Sequence, residues 1–585
     1  FFDYNVDRQL TTITRPDGAT VAFNYDSGGR VANFTIPRGG TTFAYDALTG
    51  NVTTITAPDA GTQSFTYDGS LLLSTTWAGT FSGSVTRTYD NDLRVATRSV
   101  NAGNTITFAY DNDSLLTGAG SETLAYDPTN GLLTDTALGV VADAYGYNSV
   151  AEVTSYDATV SAASVFNTSF TRDKLGRITQ KVQTVQGVNN IFDYFYDFSG
   201  RLIAVNRDGI LDESFTYDSN GNRTNNAAVY DGQDRLTNNN SASYTYTDNG
   251  ELLSKTDGSG TSTYNYDVLG NLLSVNVAGG SLIEYIVDAS NRRVGKKVDG
   301  TLEQGWLYKD QLNPVAELDG TGNVVSRFVY ASRANVPDFM IKGGVTYRII
   351  SDHLGSPRLV IDVVTGLPAQ VIDYDSFGNI IADTNPGFQP FGFAGGLYDA
   401  NTKLTRFGAR DYDAEAGRWT SKDPIRFESG DANLYGYVVN NPINFIDSNG
   451  MFFQALIIAG DVAFNILRIA SIIEIGSELI DSFTAEKCPL EGNTIGGNLK
   501  NVRKSQTGRL RGFTKGNTEL PGGIEEANRI FKQLSGRDPV GERDRAILSD
   551  GREIDFRVSS TRSGLAKIEV TDPSRKTREK ISFLE

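Results

Sequence analysis

The chain carries one histidine, His353, and one cysteine, Cys488, among 585 residues. Clustered His or Cys metal sites, disulfide frameworks and haem-attachment pairs are therefore excluded. Any His-dependent nucleophilic triad would have to run through His353 alone, and a lone histidine in the turn Asp352-His353-Leu354-Gly355-Ser356-Pro357 reads as a hydrogen-bonding structural residue. The side chains left to do chemistry are the 70 Asp+Glu and 53 Lys+Arg. They are unevenly spread. Residues 500–585 hold 19 basic and 13 acidic residues, a net of +6, whereas the first 499 hold 34 and 57, a net of −23. Such a chain is a two-part polypeptide, and its basic part is a candidate for contact with a polyanion.

The elements that would position these residues are repetitive. Tyr–Asp pairs recur at Tyr25, Tyr45, Tyr67, Tyr89 and Tyr110, in steps of 20, 22, 22 and 21 residues, and continue less regularly through Tyr266. A second aromatic often stands two residues earlier, as at Phe23, Phe43, Phe65 and Tyr194. In a strand, positions i and i+2 share a face. A turn and a glycine follow, as in Asp197-Phe198-Ser199-Gly200 and Asp267-Val268-Leu269-Gly270, so each unit reads as strand, tight turn, strand. The repeat Asp residues are turn formers on this reading, and each hairpin needs its neighbours to cover its aromatic face. Hydrophobics at 39% supply a packed interior. With Phe1 in first place, the sequence reads as part of a longer polypeptide, and the lack of a leader says nothing about export.

These repeats resemble the YD repeats of the Rhs family, which includes bacterial Rhs toxins, C components of insecticidal toxin complexes and the animal teneurins. The resemblance implies a mainly β fold: a spiral β-sheet closed as a hollow shell over residues 1–344. The next motifs, Asp352-His353-Leu354-Gly355-Ser356, Arg410-Asp411-Tyr412-Asp413, Gly417-Arg418-Trp419, Ser421-Lys422-Asp423-Pro424 and Asp447-Ser448-Asn449-Gly450, are similar in kind and order to an Rhs-associated core, taken as residues 345–450. That core plugs the shell and acts as an aspartyl autoprotease. Carried over, Asp423 is the candidate catalytic carboxylate, with Arg410, Asp413 and Asp447 at the other motif positions. Two close carboxylates resist joint ionisation, so one can polarise a carbonyl while the other activates water, and an arginine can stabilise the oxyanion. Where the family has Asp-Pro-x-Gly-Leu, this chain reads Asp447-Ser448-Asn449-Gly450-Met451, which places the cut within a residue or two of Gly450–Met451.

Residues 451–499 read as an apolar segment and linker. Charges among the aliphatics of 451–483 recur at helical spacing, giving either a packed amphipathic helix pair or a segment that contacts membranes; no uncharged run approaches a membrane span. The chain from Cys488 to Thr518 reads as linker. Residues 500–585 read as a basic α+β domain: a helix over 524–534, then strands at 546–548, 553–558, 566–570 and 580–584 forming a small antiparallel sheet. In Rhs proteins this position holds a variable toxin. With no His or Cys beyond Cys488, it is neither an HNH-type nuclease nor a zinc deaminase. Two nuclease readings remain. A metal-free RNase is favoured, with Arg552, Arg557, Arg562 and Lys567 stabilising the phosphorane, and no cofactor. A Mg²⁺-dependent, restriction-endonuclease-like DNase is the alternative, with Asp555 and Glu569 as metal ligands. The toxin reading implies an acidic immunity protein, a secretion-system component, delivery by secretion or from the cell surface, and a nucleic-acid substrate in the target-cell cytoplasm. A surface adhesion or carbohydrate-binding protein, as for teneurins, is the alternative of a different class.

Overall fold

The computed structural model describes residues 1–59 and 61–452. Beyond them it describes the backbone of the strands Gln454–Ala455, Asn517–Pro521, Arg543–Ile547, Glu553–Val558, Ala566–Asp572 and Thr577–Leu584. The chain divides into two compact units, Phe1–Phe483 and Thr484–Glu585.

In the first unit, twenty-one strands from Phe2–Tyr4 to Ile210–Ser214 pair antiparallel with their neighbours in the chain. Sixteen more, from Val229–Tyr230 to Ile380–Asp383, do the same, so the hairpin sheet runs on past residue 344 without a break. The two sheets share their cores: Trp77 and Val85 pack with Trp306 and Phe328, and Leu124 and Phe166 with Phe339 and Ile350. The buried Arg348 joins them by ion pairs to Glu122 and Asp143.

The Tyr–Asp pair works as a local unit. Asp26 Oδ1 accepts the N–H groups of Gly28 and Arg30, at 2.8 and 3.0 Å, closing the turn, and Asp90, Asp173 and Asp197 repeat the pattern. The arginine four residues on pairs with the same carboxylate and lies over the tyrosine of the next repeat, Arg30 on Tyr45 at 4.3 Å and Arg201 on Tyr217 at 4.9 Å. Tyrosine hydroxyls of the repeat donate to a carbonyl one hairpin back, Tyr45 to Val31 and Tyr196 to Ile178, both at 2.7 Å. Tyr, Asp and Arg thus knit successive hairpins, and the mainly β, hairpin-repeat architecture read from the sequence is the one observed.

Three expectations are corrected. Gln454–Ala455 is extended and pairs with Phe445–Ile446, so the helical reading of 451–483 fails there; cross-strand pairing overrides the spacing of charges. Residues 456–483 lie outside the described residues, as does the predicted helix over 524–534. The linker reading fails at its end, because Asn517–Pro521 is a strand. It pairs parallel with Thr577–Leu584, and the C-terminal sheet has five described strands with one parallel edge. A partner so distant in sequence leaves no local signal.

Candidate functional site

Three turns converge on Arg410. It opens the strand Arg410–Asp413, which leaves Leu404–Phe407 through a tight turn at Gly408, φ +45°. Its guanidinium lies 4.1 Å above the ring of Trp419, from the adjoining strand Arg418–Trp419, in a buried aromatic group with Phe407, Tyr412 and Tyr437. Asp423 lies on a loop tied back by its N–H to the Leu434 carbonyl at 2.9 Å, and its Oδ1 accepts the Ile425 N–H at 3.0 Å. Asp447 follows the strand Phe445–Ile446 directly.

Arg410 holds both carboxylates. Its Nη2 lies 2.8 Å from Asp423 Oδ2 and 3.1 Å from Asp447 Oδ2, and all three side chains are at most 5% exposed. Burial pushes the Asp423 carboxyl up to about 7, even though Arg410 pulls it the other way. Burial also raises Asp447, and lowers Arg410 against the pull of both acids. Two acids on one buried cation titrate as a coupled pair, with a proton to exchange near neutrality.

The same guanidinium reaches the peptide singled out in the sequence. Arg410 Nε donates to the Gly450 carbonyl at 2.6 Å, and Asp447 Oδ1 accepts the Met451 N–H at 3.0 Å. Both sides of the Gly450–Met451 bond are thus held by members of one charged group. Gly450 has φ +70°, and a Cβ there would stand 2.4 Å from the Phe407 carbonyl oxygen, so only glycine fits. Asn449 closes the turn: its carbonyl accepts the Ala409 N–H at 2.9 Å, and its Oδ1 accepts the N–H groups of Met451 and Phe452 at 2.9 and 3.1 Å. Asn449 and Trp419 belong to the sequence motifs, which predict no role for either. An Asn preceding a glycine turn is the signal that could have found the first.

The structure brings Arg410, Asp423, Asp447, Gly450 and Met451 together but not Asp413. Asp413 is three residues from Arg410 along a strand, hence on the opposite face. Its Oδ1 accepts the Ala416 N–H at 3.1 Å, and its Oδ2 lies 3.8 Å from Lys255 Nζ. His353 is buried, with Nε2 2.9 Å from the Ile443 carbonyl oxygen and its ring 5.0 Å from Phe170. Burial lowers its pKa to about 4, in keeping with a structural role. Among the described residues, no group of three or more His, Cys, Asp or Glu is placed to hold a metal ion.

In the second unit, backbone register fixes which residues share a face. Arg557 stands opposite Arg543 on one side and Lys567 on the other. In the next row Asp555 is opposite Arg545 and Glu569, and Glu569 is opposite Lys580. These positions all belong to one face of the sheet, and Ile554, Phe556, Ile568, Val570, Ile581 and Phe583 belong to the other. Arg552 and Arg562 lie outside the described residues.

Comparison with known proteins bears on the first unit. The family model for the teneurin YD-shell matches residues 1–443. Teneurin-4 of Mus musculus is 32% identical over 294 residues, covering 46% of this chain and 10% of the relative. The tRNA3(Ser)-specific nuclease WapA of Bacillus spizizenii is 27% identical over 280 residues, 45% of this chain and 12% of the relative. The chain therefore spans about a tenth of the length of these curated relatives. Among solved structures, the crystal structure of TcdB2-TccC3-Cdc42 superposes with a TM-score of 0.57 at 15% identity, over 81% of this chain and 28% of that one. The crystal structure of TcdB2-TccC3 gives 0.54 at 16%, over 77% and 28%. Both likenesses concern the fold.

Proposed function

Since the chain belongs to the teneurin YD-shell family, we propose that it is the shell and core of an Rhs-type toxin that cuts itself at Gly450–Met451 to free its C-terminal part. The observation that carries this reading is the grip on that peptide: Arg410 on the Gly450 carbonyl, Asp447 on the Met451 N–H, and Asp423 on the same guanidinium. In the reaction, the ionised member of the Asp423–Asp447 pair takes a proton from water, whose oxygen attacks the Gly450 carbonyl carbon. Arg410 Nε steadies the oxyanion. The protonated member gives its proton to the Met451 nitrogen as the C–N bond breaks, leaving a Met451 amine and a Gly450 carboxylic acid that passes its proton back to the newly ionised carboxyl. Asp413, bonded in its own turn, orders the Asp413–Ala416 loop. Intact-mass analysis of purified protein should find residues 1–450 and 451–585 as separate chains, and one uncut chain for Asp423→Asn. Uncut wild-type protein would overturn the proposal.

The freed part is, on this reading, a nuclease acting in the cytoplasm of a target cell after secretion or surface delivery, and an acidic immunity protein and a secretion component are its expected partners. A metal-free RNase remains the favoured reading: the Arg543–Arg557–Lys567 row suits a phosphodiester backbone, and the relative WapA is a tRNA nuclease by name. Arg552 and Arg562 keep their proposed part in this reading. The Mg²⁺ alternative is supported by the direct opposition of Asp555 and Glu569. Digestion of RNA and DNA with and without EDTA separates the two, and no digestion of either sinks both. A surface adhesion or carbohydrate-binding role of the shell is the alternative reading of a different class. Growth arrest on expressing residues 451–585 in bacteria would count against it; normal growth would favour it. Any contact of 451–483 with membranes is tested by dye release from liposomes.

A further inference from the structure

The chain on the two sides of the Gly450–Met451 bond forms a short ladder. Phe445 pairs with Ala455 and Ile446 with Gln454, antiparallel, so the bond lies in the loop of a hairpin. Upstream of the bond, the Ala409 N–H holds the Asn449 carbonyl, and Gly450 is seated against the Phe407 carbonyl. Downstream of it, Asn449 Oδ1 takes the next two N–H groups, those of Met451 and Phe452. The departing side of the bond is thus held by Asn449 and the ladder in addition to the Asp447 bond to the Met451 N–H.

We propose that this hairpin is the substrate-recognition element of the self-cutting reaction: Gln454–Ala455 binds in cis as a strand on Phe445–Ile446, and Asn449 is the positioning residue that sets the Met451 nitrogen against Asp447. The inference rests on the self-processing reading. Its physical basis is that a peptide attacked in line must be held near its reactive geometry, and a misplacement of about 1 Å can cost 10²-fold in rate. Arg410 fixes only the carbonyl. Without the ladder and Asn449, the amine side would be held by the Asp447 Oδ1 bond alone. Because the ladder uses main-chain groups, proline, which lacks the N–H and fixes φ, is not tolerated at 454 and 455. The same pairing would hold the two cut ends together after hydrolysis, so cutting and release become separate steps.

The test follows cutting of the full chain by intact mass on return from denaturant to native buffer. The double variant Gln454→Pro with Ala455→Pro should cut about 10- to 100-fold more slowly, or at a shifted bond, with the melting temperature of the shell unchanged. Asn449→Ala should be slowed by a similar factor, with the carbonyl-side contacts intact, and Asn449→Asp, which keeps an acceptor oxygen, should recover most of the rate. Wild-type rate and wild-type bond in either the double-proline variant or Asn449→Ala would overturn the proposal. If the double-proline chain fails to fold, Asn449→Ala decides alone. Failure of the underlying reading looks different: wild type stays uncut, or Asp423→Asn is cut as fast as wild type.

Discussion

Replacing Arg410 by lysine keeps the charge and removes the geometry. The guanidinium contacts Asp423, Asp447 and the Gly450 carbonyl at 2.8, 3.1 and 2.6 Å, and donates more weakly to the Leu434 carbonyl at 3.3 Å. Its planar fork divides these acceptors between Nε, Nη1 and Nη2, whereas an ammonium is a point donor on a flexible stem. With two carboxylates in reach, the lysine would settle on them and leave the carbonyl. Loss of one oxyanion donor costs about 10² to 10³ in rate, so Arg410→Lys should cut that much more slowly while folding normally. The stack on Trp419 at 4.1 Å is also lost, which adds a stability change of about 1 kcal/mol and leaves the shell folded. The assay is the fraction of the uncut 63.4 kDa chain against time in native buffer. Cutting at the wild-type rate would show that charge alone suffices and that the Nε–carbonyl bond is incidental.

Other expectations follow from the same contacts. Asp423→Asn should raise the melting temperature at pH 8 more than at pH 5. A carboxyl raised to about 7 by burial stabilises the folded state below its unfolded value near 4, and that stability is lost as pH rises through 7, a swing of up to about 4 kcal/mol. Equal gains at both pH values would refute this. Gly450→Ala should block cutting, since its Cβ would meet the Phe407 oxygen at 2.4 Å and displace the peptide from Arg410; intact mass reads the outcome. Tyr196→Phe should destabilise the fold by about 1–2 kcal/mol in urea melts, because it removes the bond to Ile178 and leaves Asn444 Nδ2 short of an acceptor at 2.9 Å.

The repeats were legible because their information is local: the tyrosine, the turn aspartate and the arginine four residues on lie within one hairpin and its neighbour. The core was legible only as ordered motifs. Nothing in the spacing of Arg410, Asp423 and Asp447 says that loops from 407–410, 423–434 and 447–451 meet, since their closure depends on long-range packing under Trp419. Strand parity could have excluded Asp413, because a three-residue step from Arg410 in an extended segment reverses the face. Gln454–Ala455 was hidden by the apolar texture around it, which suits helix and strand alike over so few residues. The parallel pairing of Asn517–Pro521 with Thr577–Leu584 has no signature in either segment.

The proposed reaction changes the charge around Arg410, and that change is itself testable. Before cutting, the guanidinium faces two carboxylates and a carbonyl; afterwards the Gly450 oxygen belongs to a third carboxylate, still beside Nε in a buried pocket. One cation cannot neutralise three anions where water is scarce, so the cut site should hold a proton more tightly than the uncut one. A dyad that keeps its proton no longer supplies the ionised base, and the site stops after one turnover. Shell melting temperatures should then fall more steeply between pH 6 and pH 9 for the cut wild type than for uncut Gly450→Ala, because a group with a raised folded pKa loses its stabilisation as pH climbs through that value. Parallel slopes would mean that the new carboxylate has left Arg410, and that the end of the reaction is set by departure of the chain instead of by charge.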